Sequence, residues 1–121
     1  MSKATIAIIG TGWWATQTHL PAMQTNPRAD VVLIDRNEAK LKAAADAYEN
    51  VGAYTSLEAA MAAHSIDGAI VCVSHHAHYA VGMQVLEAGL PMLLEKPMVL
   101  EAKHAKALVD FAAEKDLPIL M

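Results

Sequence analysis

The junction Thr5-Ile6-Ala7-Ile8-Ile9-Gly10-Thr11-Gly12-Trp13-Trp14-Ala15 constrains this chain more than any other stretch. Its first half is a short apolar run without polar alternation, which reads as a strand buried on both faces. The segment from Trp13 to Met23 has helical character. Between them the spacing is G-x-G-x-x-A, the alanine form of a pattern whose small residues answer separate demands. Gly10 permits a tight turn out of the strand. Gly12 lets backbone N–H groups approach a pyrophosphate with no Cβ between them. Ala15 lets the helix pack close to the strand. The first helical turn then offers free N–H donors and a positive dipole end to phosphate. Taken alone, the same pattern also suits an ordinary strand-to-helix turn.

The next segment of the chain supports the phosphate-binding reading. A second apolar run, Val31-Val32-Leu33-Ile34, ends in Asp35. An acid about 20 residues beyond the glycine turn is placed to accept hydrogen bonds from ribose hydroxyls. The alternative for Asp35 is a helix cap, a role that Asn37 fills equally well. Strand, glycine turn, helix, strand and acid in this order point to dinucleotide binding. Arg36 is open to three readings: stacking on adenine, pairing with a 2′-phosphate, or facing solvent. Because Asp35 repels a 2′-phosphate, NAD is expected as cofactor, with NADP possible.

Strand and helix signals alternate to the end of the chain. The expectation is an α/β fold: a doubly wound parallel sheet of about six strands, with helices on both faces. The first helix is expected to end or kink at Pro21, with His19 as a packing or capping residue. A second helix from Glu38 to Tyr48 places Leu41, Ala44, Ala45 and Tyr48 on one apolar face. Ser56 suits an N-cap for a helix over Leu57–Ala63. The run from Gly68 to Val73 reads as a central strand, and Gly89 as the residue ending the next helix. A helix from Glu101 to Glu114 is expected to bury Ala105, Leu108, Val109 and Ala112. A last strand falls within Leu117–Met121.

Composition narrows the function classes. The 121 residues suit one domain, 1–121, and 55% hydrophobic content supplies a sizeable core. Nine scattered basic residues against 13 acidic ones leave no nucleic-acid footprint. The single cysteine, Cys72, excludes an intrachain disulfide and reads as an inert buried residue. No stretch resembles a signal peptide or a membrane span, so a cytoplasmic protein is expected.

In an open parallel sheet, ligands bind beyond the carboxyl ends of the strands. Four loops meet that condition: Gly10 to Trp14, Asp35-Arg36, Ser74 to His78, and Glu95-Lys96-Pro97. Lysine suits hydrogen bonding to a substrate hydroxyl or carbonyl beside a nicotinamide. A surface Glu/Lys pair that happens to end a strand is the plainer alternative for that stretch. His75, His76 and His78 have no nearby cysteine or second acid to complete a ligand set, so no metal is expected. One of them is expected to line the cofactor pocket.

The stretch Leu86-Glu87-Ala88-Gly89-Leu90-Pro91-Met92-Leu93-Leu94-Glu95-Lys96-Pro97 resembles the "L-E-A-G-K-H-V-L-C-E-K-P" block of the Gfo/Idh/MocA oxidoreductases. These are glucose–fructose oxidoreductase, inositol dehydrogenase and related NAD(P)-dependent enzymes. His78 matches the family's helix-start histidine, and Asp35-Arg36-Asn37 its second-strand end. The resemblance covers the whole chain and implies a Rossmann fold and dehydrogenase chemistry on a sugar or polyol. It implies Lys96 as the catalytic residue and a cis Lys96–Pro97 bond. Cofactor contacts are then expected from Gly10, Thr11, Gly12, Trp13, Trp14, Asp35, Arg36, Ser74, His75, His78, Glu95, Lys96 and Pro97. Two features depart from the family. Val73-Ser74-His75 stands where Thr-Pro-Asn is usual, and the family's C-terminal substrate domain is expected to be missing from these residues. The chain alone is therefore expected to be inactive, and to be a homo-oligomer or lack a partner domain. The alternatives are a non-catalytic dinucleotide-binding module or sensor and, less well matched by Glu95-Lys96-Pro97, a methyltransferase.

Overall fold

The computed structural model describes residues 3–121. Six strands, β1 (Ala4–Ile9), β2 (Ala29–Ile34), β3 (Gly52–Tyr54), β4 (Gly68–Val71), β5 (Met92–Leu94) and β6 (Ile119–Leu120), form one sheet. All pairings are parallel and the spatial order is β3-β2-β1-β4-β5-β6. The connections run one way from β1 and the other way from β4. The boundary between these two strands is therefore the switch point at which a crevice opens.

The helices follow from local signals. Asn37 caps α2 (Glu38–Ala47) by accepting the Lys40 N–H, and Ser56 caps α3 (Leu57–Ala63) by accepting the Ala59 N–H. Gly89, at φ +81°, ends α4 (His78–Glu87) in the left-handed conformation that glycine adopts without penalty. The amphipathic α5 spans Ala102–Glu114.

Alternation along the strands sorts the core into two layers. Ala7, Ile9, Val32, Ile34, Val71 and Leu94 face α3, α4 and α5, meeting Leu57, Val85, Leu86 and Leu108. Ile8, Val31 and Leu33 face the other way, against Leu20, Leu41 and Ala44. Each large side chain buried in this way contributes about 1.5–3 kcal/mol. The second face is only partly covered by helices. Across β4–β6, Ile70, Leu93, Pro118 and Leu120 line an open apolar groove of about 430 Å³.

Two expectations are corrected. Pro21, expected to end or kink the first helix, does not end it: the helix continues to Gln24 as α1 (Leu20–Gln24). A π-helical turn over Ala15–His19, closed by the Leu20 N–H on the Ala15 carbonyl, directly precedes α1. This widened turn accommodates a proline, which has no N–H and whose ring crowds the preceding turn. Val109 is 51% exposed, because α5 lies at the margin of the sheet and only Leu108 and Ala112 reach fully beneath it.

Candidate dinucleotide site

Gly10 leaves β1 at φ +96°. A Cβ there would lie 2.5 Å from the Cys72 carbonyl oxygen and 3.0 Å from the Val73 nitrogen. The turn after β1 is thus pressed against the backbone at the end of β4, and only glycine fits. Gly12 is the opposite case: a Cβ built there meets nothing within 4 Å. Its position opens on a cleft of about 550 Å³ lined by Gly10, Gly12, Trp13, Trp14, Asp35, Arg36 and Ser74. The Gly12 carbonyl accepts the Thr16 N–H and hydroxyl, both at 3.1 Å, which starts the helix at the cleft floor. The cleft has a floor that a side chain would fill and donors at a helix start, so it fits a pyrophosphate.

Asp35 follows β2 on the cleft wall. Its Oδ2 accepts the Thr11 N–H and the Thr11 hydroxyl, both at 2.8 Å, and its Oδ1 accepts the Asn37 N–H at 2.8 Å. Burial pushes the carboxyl pKa up. The bonds from Thr11 and Asn37, with the Lys40 charge, outweigh burial and hold it below the usual carboxylate value. A carboxylate offers about four lone-pair positions. Three are occupied, which leaves one acceptor site on Oδ1. Thr11, expected among the cofactor contacts, is turned toward Asp35. It is 3% exposed and both its donors are spent on Asp35, so it faces the acid and not the cleft.

Beside the cleft lies a smaller pocket of about 190 Å³, lined by Trp14, Cys72, Val73, His75, His78, Glu95 and Lys96. Trp14, Cys72 and Val73 border both spaces. Glu95 Oε1 accepts His19 Nε2–H at 2.6 Å. Partial burial raises the Glu95 pKa, but interactions with the Trp14 indole and His19 lower it further than burial lifts it. Burial, aided by the Glu95 charge, pushes the Cys72 thiol up to about 12, which makes it unreactive.

The Lys96–Pro97 bond is cis, as expected. Pro97 itself borders neither space, and its carbonyl turns inward to His78. His78 is 1% exposed. Its Nδ1 donates to Pro97 O at 2.7 Å, and its Nε2 stands 3.2 Å from Val73 O. Both ring nitrogens face backbone carbonyls, so His78 ties the end of β4 to the Glu95-Lys96-Pro97 turn and offers a cofactor no polar atom. Among the described residues no group of three or more His, Cys, Asp or Glu side chains could hold a metal.

Several cleft residues belong to no motif. Lys40, Thr55, Ser56, Val81 and Gln84 line it because α2, α3 and α4 all open toward the same end of the sheet. Lys40 and Ser56 have a sequence signal, since each sits at a helix start beside a strand end. Val81 and Gln84 have none.

A parallel sheet with a glycine turn and a hydrogen-bonded acid flanking one crevice defines a dinucleotide-binding domain of the Rossmann type. The model of the oxidoreductase family with an NAD-binding Rossmann fold, Gfo/Idh/MocA, matches residues 4–121. The chain belongs to that family and is its NAD-binding domain. It is 33% identical over 86 residues to inositol 2-dehydrogenase of Corynebacterium glutamicum, covering 71% of this chain and 26% of that protein. A Gfo/Idh/MocA oxidoreductase from Vibrio cholerae superposes with a TM-score of 0.92 at 24% identity, over 98% of this chain and 38% of that one. The WlbA dehydrogenase of Chromobacterium violaceum, solved with NADH and UDP-GlcNAcA, superposes with a TM-score of 0.88 at 25% identity, over 98% and 34%. The chain thus spans about a third of the length of the relatives it matches.

Proposed function

We propose that this chain is the cofactor half of a dehydrogenase that moves hydride between NAD and a hydroxyl-bearing carbon of a sugar or polyol. The observation that carries the reading is the junction at Trp14, where the 550 Å³ cleft of the glycine turn meets the pocket of Glu95 and Lys96. The pyrophosphate lies over Gly12, and the free Oδ1 position of Asp35 takes a ribose hydroxyl. The negative charge of Asp35 favours NAD over NADP, with Arg36 and Lys40 left to border the adenine. Bound NAD supplies the hydride acceptor. Lys96 Nζ, as the neutral amine, would take the proton of the substrate hydroxyl during oxidation and, as the ammonium, return it to the carbonyl oxygen in reduction.

Residues 1–121 form a single dinucleotide-binding domain in this reading. Hydride transfer needs a wall on the substrate side to exclude water and orient the reacting carbon. In the family that wall is a second domain. The open groove across β4–β6 and the 62% exposed Leu120 on the edge strand support either such a domain or a second copy of the chain as cover. No described helix is long and apolar enough to cross a membrane. Among compartments, a lone and unreactive cysteine suits the reducing cytoplasm.

Calorimetric titration with NADH and NADPH tests the cofactor, with tighter binding of NADH expected. NADPH binding as tightly would remove the role given to Asp35. Assays with sugars and polyols test the rest: turnover by these 121 residues alone would show that no further wall is needed. Light scattering over a dilution series tests self-association.

A further inference from the structure

His19 lies in the first helical segment, and Glu95 lies 76 residues away at the end of β5. One bond joins them. At 2.6 Å it is short for an N–H···O contact, and the carboxylate acceptor makes it a charge-assisted one. Both side chains are about four-fifths buried, at 20% and 21% exposure, so water does not readily replace either partner. The other carboxylate oxygen of Glu95, Oε2, accepts the Lys96 backbone N–H at 3.3 Å. Glu95 is therefore held by the helix through one oxygen and touches the peptide that carries Lys96 through the other.

His19 borders neither the cleft nor the smaller pocket. It is the last residue of the π-helical turn. Each residue of an α-helix advances the side-chain direction by about 100°. The widened turn therefore decides which way His19 points, and it points at the carboxylate. π-turns of this kind recur at functional sites.

We propose that His19 is a positioning residue for the nicotinamide end of the site. Through its bond to Glu95 it sets the Glu95-Lys96-Pro97 turn against the phosphate loop, while touching no ligand itself. The inference rests on the reading of the cleft as an NAD site.

The test compares NADH with ADP-ribose, which carries the adenosine and pyrophosphate but no nicotinamide. Both are titrated calorimetrically into the wild-type chain, His19→Leu and His19→Gln. His19→Leu is expected to weaken NADH roughly tenfold, the size of one charge-assisted hydrogen bond, and ADP-ribose less than about twofold. Glutamine places an amide N–H near the imidazole Nε2 position, so His19→Gln should recover most of the loss. Equal weakening of both ligands, unchanged NADH binding in His19→Leu, or failure of glutamine to rescue would each overturn the proposal. Should His19→Leu not fold, Glu95→Ala removes the same bond from the other side. It must show the same split, and an unchanged NADH to ADP-ribose ratio would overturn the proposal. If the wild-type chain binds neither ligand, the NAD reading itself falls and this inference with it.

Discussion

Replacing Gly10 and Gly12 separately by alanine should separate folding from binding within one motif. Alanine at position 10 meets two penalties. The backbone sits at φ +96°, which costs a non-glycine residue roughly 1–3 kcal/mol. The new Cβ also falls 2.5 Å from the Cys72 carbonyl oxygen and 2.7 Å from its carbon. Those atoms are backbone, tied into the sheet by the Cys72 N–H on the Ile9 carbonyl at 2.7 Å, so they cannot swing aside. Overpacking of this kind adds about 1–3 kcal/mol, for a total of about 2–6 kcal/mol. At position 12 the Cβ meets no atom within 4 Å, and stability should change by less than about 0.5 kcal/mol. That methyl group occupies the floor of the cleft, so NADH affinity should fall on the order of tenfold or more. Urea denaturation measures the first effect and calorimetric titration the second. A stable Gly10→Ala protein would refute the packing argument. A Gly12→Ala protein that binds NADH like the wild type would refute the assignment of the cleft floor.

Asp35→Ala should weaken NADH by at least tenfold, from the loss of one hydrogen bond worth about 1.5–3 kcal/mol, measured by the same titration. The folded pKa of Asp35 is depressed, so its stabilising contribution is full above the unfolded value of 3.8 and is lost as pH falls through the folded one. Acid unfolding curves below about pH 4 should therefore be shallower for Asp35→Ala. Lys96→Ala, in an oxidoreductase carrying this domain, should lower kcat by about 10²–10⁴ while leaving ADP-ribose affinity within about twofold. Leu108→Ala removes a fully buried α5 side chain and should cost about 2–5 kcal/mol in urea denaturation.

Local rules suffice where a residue answers only to its neighbours in the chain. Asn37 and Ser56 cap the helices they precede, and Gly89 ends α4, because a cap is decided within a few residues. The parallel sheet is legible in the alternation of strand and helix, since each helix serves as a crossover between parallel strands. Residues that answer to distant partners are less legible in the sequence. His19 looks like a packing or capping residue because Glu95, its partner, is 76 positions away. Thr11 looks like a phosphate contact because its position in the loop is right. Only the folded chain brings Asp35 to its N–H and hydroxyl. The loop of His78 suggests a cofactor contact, whereas burial turns both its nitrogens onto carbonyls. Pro21 looks like a helix stop or a kink because a π-turn leaves no signature in residue spacing.

One cleft, between the glycine turn and Asp35, is assigned to the dinucleotide. Amide chemical shifts of the isotopically labelled chain, followed as NADH is added, test that assignment most directly. NADH bound there should give saturable shifts confined to residues 10–15, 35–37, 73–75 and 95–96. Shifts centred on the apolar groove at Ile70, Leu93 and Leu120, or none at millimolar NADH, would contradict it.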